Sequence, residues 1–208
     1  MSLEVWLAFV AASGVLLLIP GPTILLVVSY ALGQGWRAAL PVAVGVALGD
    51  FTAMTFSVLG IGALLATSAT VFTVLKWLGA AYLVWLGVKL WRAGNALNAR
   101  PRTDAASAAR MFGHAWFVTA LNPKSLVFFV AFMPQFVDPR AGFLAQVAVF
   151  EATFLVLAVA NAFAYALVAS RARAVVWSPR AIGVLNKVGG SLLIGAGVAT
   201  VGIRAGER

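Results

Sequence analysis

Six apolar runs, near residues 5–31, 38–65, 71–91, 112–136, 143–169 and 184–203, leave this chain almost no polar surface with which to meet water. Each is long enough for the roughly 20 residues that cross a bilayer core. The chain is 62% hydrophobic and only 10% charged, with a mean hydropathy of +0.99. A soluble core of 208 residues has no room for so much apolar surface, whereas lipid accepts it on the outside. The expected solvent is therefore a lipid bilayer. The start, MSLEVWLAF, lacks the basic residues of a signal peptide and reads as a retained first span.

The formal charge of +9 does not point to nucleic acid, because the basic residues flank apolar runs instead of forming a stripe. There is no cysteine, and one histidine (His114) with six scattered acids makes no metal site; no cofactor is expected. Ten Lys and Arg residues fall beside the joins after spans one, three and five: Arg37; Lys89, Arg92, Arg100, Arg102 and Arg110; Arg171, Arg173, Arg180 and Lys187. Only Lys76, Arg140, Arg204 and Arg208 fall on the other side. The positive-inside rule then makes the central loop, 92–111, cytoplasmic and puts both termini outside. Trp6, Trp36, Trp77, Trp85, Trp91 and Trp177 sit mostly near span ends, as an interfacial belt does.

Two spans are interrupted. Pro20-Gly21-Pro22 breaks the first, and Asn122-Pro123-Lys124 breaks the fourth. Proline has no N–H and pushes the preceding residue away from helical dihedrals, so Pro20, Pro22 and Pro123 bare the carbonyls of Leu16, Leu18 and Thr119. Non-helical backbone at membrane depth is tolerated only against protein or a water-filled cavity. Bared carbonyls attract cations and half-helix N-termini attract anions, so a zwitterionic amino acid offers a partner to each.

The interruptions hold corresponding places in two halves, 1–91 and 112–208. Pro20 precedes Asp50 by 30 residues and Pro123 precedes Glu151 by 28. The third spans open alike, with Lys76 before Gly79 and Lys187 before Gly190. Three spans per half, joined by a loop on one side, give halves of opposite orientation. The expected fold is an all-α integral membrane protein of six transmembrane helices, arranged as two inverted three-helix repeats with helices 1 and 4 broken.

Asp50 lies mid-span, where an ionised carboxylate costs at least about 2.5 kcal/mol. That cost falls away when the group takes a proton, so Asp50 is a candidate proton carrier; capping by hydroxyls or pairing with a lysine is the alternative. Glu151 is shallower and divides between a second proton site and interfacial packing. Lys124 has two expected partners, Asp50 or a substrate carboxylate. Asn122 is equipped to satisfy opened backbone, and Asn161 to do the same or to join helices. Gly45 and Gly49 have the spacing of close helix packing, and the glycine-rich faces suit a homo-oligomer as well as one chain. A membrane enzyme is disfavoured, because no catalytic cluster is visible.

The stretches IPGPTILLVVSYALGQGWRAAL, GVALGD, KWLGAAYLVWLGVKLWR and TALNPKSLVFFVAFMPQF resemble the LysE/RhtB family of amino-acid exporters over essentially the whole chain. The resemblance implies a small bacterial inner-membrane protein that exports amino acids or derivatives, driven by the proton gradient. It attaches to Pro20, Gly21, Pro22, Gly45, Gly49, Asp50, Asn122, Pro123, Lys124, Pro134 and Gln135. Many members carry Asp or Asn directly after Pro-Gly-Pro, where this chain has Thr23, which argues against a strongly cationic substrate. The expectation is a proton antiporter whose substrate lies between the interruptions, at Pro20, Gly21, Pro22, Thr23, Asn122, Pro123 and Lys124. Asp50 and Glu151 would serve as proton sites. An uncoupled channel or uniporter is the alternative.

Overall fold

The structure, a computed structural model, describes residues 1–67, 69–93, 106–138, 141–171 and 179–202. Most of the central loop, with Arg100 and Arg102, lies outside them, as do Arg140, Arg173, Trp177, Arg204 and Arg208. Among the described residues there are eight α-helices, two short 3-10 turns and no strand.

The first apolar run is two helices, α1 (Leu3–Leu18) and α2 (Pro22–Gln34), bent by 56°. Ser2 starts α1 by accepting from Val5 N–H. Helix α2 starts on Pro22 at its first position, where the missing N–H costs nothing. It ends at Gly35, whose φ of +74° favours glycine and turns the chain into a 3-10 turn, Trp36–Ala38. Helix α3 (Ala39–Thr67) is continuous, and α4 (Ala69–Ala93) follows.

The second half repeats this order. Helices α5 (Ala108–Ala120) and α6 (Pro123–Ala131) with the 3-10 turn Met133–Gln135 form the second bent pair, at 45°. Then come α7 (Phe143–Arg171) and α8 (Pro179–Gly202). The segment expected as a loop, 92–111, is helical at its two ends, since α4 runs on through Ala93 and α5 begins at Ala108.

Among the described residues two stretches are long and apolar enough to cross a bilayer unaided, Trp36–Gly60 and Phe143–Arg171, and counting each bent pair as one span brings the number to as many as four. Large apolar side chains point outward along both helices, including Phe56, Leu59, Leu144 and Val156. An exterior this apolar suits lipid, not water.

Helix α3 packs on α5 and α7, α7 also packs on α1 and α2, and α4 pairs with α8. Glycines set two of these approaches. A Cβ on Gly49 would stand 2.6 Å from Thr119 Cβ, and one on Gly45 would run into the Phe112 carbonyl, so α3 and α5 meet backbone to backbone. A Cβ on Gly87 or on Gly190 would lie 2.6 Å from the other's carbonyl oxygen. At the end of α4, Trp91 Nε1 donates to Ser191 Oγ (3.2 Å) and the Lys187 ammonium lies over the Trp91 ring.

Candidate functional site

The two interruptions meet in space. At the first, Ile19 and Gly21 are extended, so the last carbonyls of α1 lose their helical partners. Each finds a side chain from the second half. The Lys124 ammonium donates to Leu16 O (3.0 Å) and Ile19 O (2.8 Å). Asn161 Nδ2 donates to Leu17 O (3.0 Å), and Tyr165 OH to Leu18 O (2.7 Å). The bared backbone that was expected to hold a substrate thus already holds three side chains, one of them cationic. Of the partners foreseen for Lys124, Asp50 lies within its electrostatic reach, but the ammonium's hydrogen bonds go to backbone.

The second interruption closes largely on itself. Asn122 is the N-cap of α6, its Oδ1 accepting from Lys124 N–H (3.1 Å), and Pro123 takes the first helical position. The Thr119 carbonyl accepts from the Asn122 N–H (3.0 Å). The other end of the Asn122 amide crosses to the first half, where Nδ2 donates to Thr23 Oγ1 (3.1 Å). Thr23 and Thr119 share a hydroxyl–hydroxyl bond of 3.2 Å. Thr23, Thr119, Asn122 and Lys124 are all buried, while Pro20 and Gly21 are half-buried and Pro22 is exposed.

Asp50 joins this junction from α3. Gly49, pressed on Thr119, sets it there. Its carboxyl is 2% exposed, lies within electrostatic reach of the Lys124 ammonium and sits beside the Ser125 hydroxyl. Its Oδ1 has no hydrogen-bond partner among the described residues. Buried polar atoms are nearly always satisfied, so an open acceptor here marks room for a proton, a water or a ligand donor.

Glu151 is elsewhere. It is half-buried on α7 and accepts from Thr55 Oγ1 (2.9 Å). It precedes Asn161, which touches the first interruption, by ten residues of one helix, about 15 Å of rise. Gln135 is exposed and donates to Ala131 O (2.8 Å). Among the described residues no group of three or more His, Cys, Asp or Glu is placed to hold a metal ion.

On the side of the junction toward the start of α1, a phenylalanine cluster fills the interior. The Phe9 ring centroid lies 4.5 Å from that of Phe150, tilted, and 5.4 Å from that of Phe136, edge-on, and Phe128 and Phe129 pack on Phe154. Toward the end of α2, Tyr30 OH meets His114 Nδ1 at 3.1 Å.

Sequence reasoning missed Tyr165 and Ser125. Asn161 and Tyr165 lie four apart, hence on one face of α7, and a pair of polar-tipped residues one turn apart in an apolar span was the available signal.

The LysE type translocator family model matches residues 14–202. A homoserine/homoserine lactone efflux protein of Salmonella typhimurium is 36% identical over 202 residues, 96% of this chain and 98% of the relative. An uncharacterized membrane protein of Vibrio cholerae is 36% identical over 198 residues, 95% and 97% of the two chains. A leucine efflux protein of an Enterobacter species is 32% identical over 140 residues, 67% and 66% of the two. No solved structure matches.

Proposed function

The chain belongs to the LysE type translocator family, and from that premise we propose that it exports a small neutral amino acid, of the homoserine or leucine kind, by proton antiport. The observation that carries this reading is the junction itself. Two broken helices meet there, and a buried carboxyl on Asp50 has an open acceptor. The substrate lies across the junction, against backbone at 20–22 and 122–124 and the side chains of Thr23, Asn122 and Lys124. Thr23 offers a hydroxyl where an acid would have favoured a cationic substrate.

Asp50 exchanges the proton, and Glu151, bonded to Thr55, is the second proton site. The chain crosses the membrane six times as two inverted repeats. The helix pairing supports this: α3 packs on α5 as α7 packs on α1, and α3 packs on α6 as α7 packs on α2. The pairs α3–α7 and α4–α8 then sit on the pseudo-two-fold axis. The pairing departs from the symmetry where α4 meets α6 while α8 meets α1, and where α2 meets α5 and α3, and α3 meets α4, more closely than their counterparts in the other half do. Rocking of the halves opens the phenylalanine cluster to one side and the Tyr30–His114 side to the other in turn. The excess of Lys and Arg supports a cytoplasmic central loop with both termini outside, and membership of this exporter family supports the bacterial inner membrane.

Efflux from proteoliposomes loaded with L-homoserine or L-leucine tests the reading. A pH gradient, acidic on the receiving side, accelerates efflux through the native chain, and Asp50→Asn abolishes the acceleration. Undiminished gradient-driven efflux through Asp50→Asn contradicts the proton role, and efflux indifferent to the gradient in the native chain points to a uniporter.

A further inference from the structure

We propose that the C-terminal carbonyls of α1 form an ammonium socket, occupied by Lys124 when no substrate is bound, and that the substrate's amino group enters by displacing Lys124 toward Asp50. This rests on the export reading above and names how the site takes its cargo.

Four observations carry it. A helix C-terminus bears partial negative charge, and at 2.8 and 3.0 Å the Ile19 and Leu16 oxygens accept two of the three donors of a buried ammonium. A substrate –NH3+ offers the same donors, whereas a quaternary ammonium offers none. Second, the socket keeps its shape when Lys124 leaves, because Asn161 and Tyr165 hold the intervening carbonyls of Leu17 and Leu18. Third, Lys124 has somewhere to go: Asp50 Oδ1 is open and within the ammonium's electrostatic reach. Fourth, the lysine stem lies against the first interruption itself, where a Cβ on Gly21 would meet its Cε and Nζ at an ordinary contact distance of 3.5 Å.

The swap links cargo to protons. With Lys124 in the socket, Asp50 carries a proton. When the substrate ammonium takes the socket, Lys124 moves to Asp50, the carboxyl O–H bond breaks, and the proton leaves to the side the site faces. The junction gains a neutral zwitterion and loses one proton, so its net charge falls by one, carried off by the released proton. Substrate and proton exclude each other, which is the condition for antiport.

The absence of cysteine makes a clean test available, because Lys124→Cys introduces the chain's only thiol. In the purified full chain, methylthiolation leaves a neutral stub and aminoethylation rebuilds a lysine-like ammonium. Ethylammonium is the probe, and its affinity is read from the rise in melting temperature. Removing a tethered competitor that fills the socket about nine-tenths of the time tightens ethylammonium binding about tenfold. The neutral stub and Lys124→Met show this gain, aminoethylation abolishes it, and tetramethylammonium gives no effect. Equal or weaker binding in the neutral forms, or equal stabilisation by tetramethylammonium, overturns the proposal.

The native chain gives a check that needs no variant. In weak buffer L-homoserine binding releases about one proton per molecule bound, and no release or uptake overturns the swap. The two readings fail separately. An ethylammonium gain in a chain that exports no amino acid sinks the export reading and leaves the socket, and export without the gain does the reverse.

Discussion

The two interruptions differ in where their backbone hydrogen bonds go. The second is locally encoded, because Asn122 caps α6 and Pro123 begins it, so a few neighbouring residues suffice. The first has no side chain of its own to offer. Pro-Gly-Pro leaves the carbonyls of Leu17, Leu18 and Ile19 to Asn161, Tyr165 and Lys124, and that of Leu16 to Lys124 and the Ile19 N–H (3.3 Å); the three side chains all lie more than 100 residues away in sequence. A locally capped break keeps its shape wherever its helix goes. A break capped from the other half keeps its shape only while the halves stay together, so it is the one that a rocking motion disturbs.

The comparison is broken most severely at Lys124. Lys124→Met removes two charge-assisted hydrogen bonds, to the Leu16 and Ile19 carbonyls, at a cost of about 3 kcal/mol in unfolding measured in detergent. Adding Asp50→Asn recovers little of that loss, because Asp50 is neutral while Lys124 fills the socket; recovery of a good part of it would mean an ionised Asp50 in the substrate-free protein and would break the swap. Next is Tyr165→Phe, which leaves the Leu18 carbonyl unmet and costs about 1–3 kcal/mol by the same assay. No loss there would mean that the first break does not depend on the second half. At the second break Asn122→Ala costs about 1 kcal/mol, most of it kept by Asn122→Ser, which retains a cap. The smallest effect belongs to Gly21→Ala, within about 0.5 kcal/mol. Its φ of −127° suits any residue and its Cβ would meet Lys124 at an ordinary contact distance.

The positions of both breaks were legible in the sequence, because proline acts on its own backbone. The helices behind the six apolar runs were legible too, with ends within a few residues: 38–65 is Ala39–Thr67 and 143–169 is Phe143–Arg171. What the sequence did not reveal is who meets whom. Lys124 was assigned two electrostatic partners, yet its donors go to carbonyls. Every residue carries a carbonyl, so no side-chain pattern marks the ones that matter. Tyr165 was unread because an aromatic in a lipid-facing run looks like packing until a bared carbonyl lies opposite its hydroxyl. Glu151 was matched to Asp50 by its spacing and as the acid of its half's second span, but each spacing crosses a helix end and a turn, so it does not fix the direction in which the side chain points.

The central claim is that the two interruptions form one site whose parting carries the substrate. Thr23 and Thr119, joined by hydroxyls 3.2 Å apart, span it from opposite halves. In this cysteine-free chain, Thr23→Cys with Thr119→Cys supplies a single reversible tie across the junction. Efflux of L-homoserine from proteoliposomes, compared before and after reduction, is the measurement. The account predicts efflux in the reduced form and its loss in the oxidised form. Full efflux with the tie closed would contradict it.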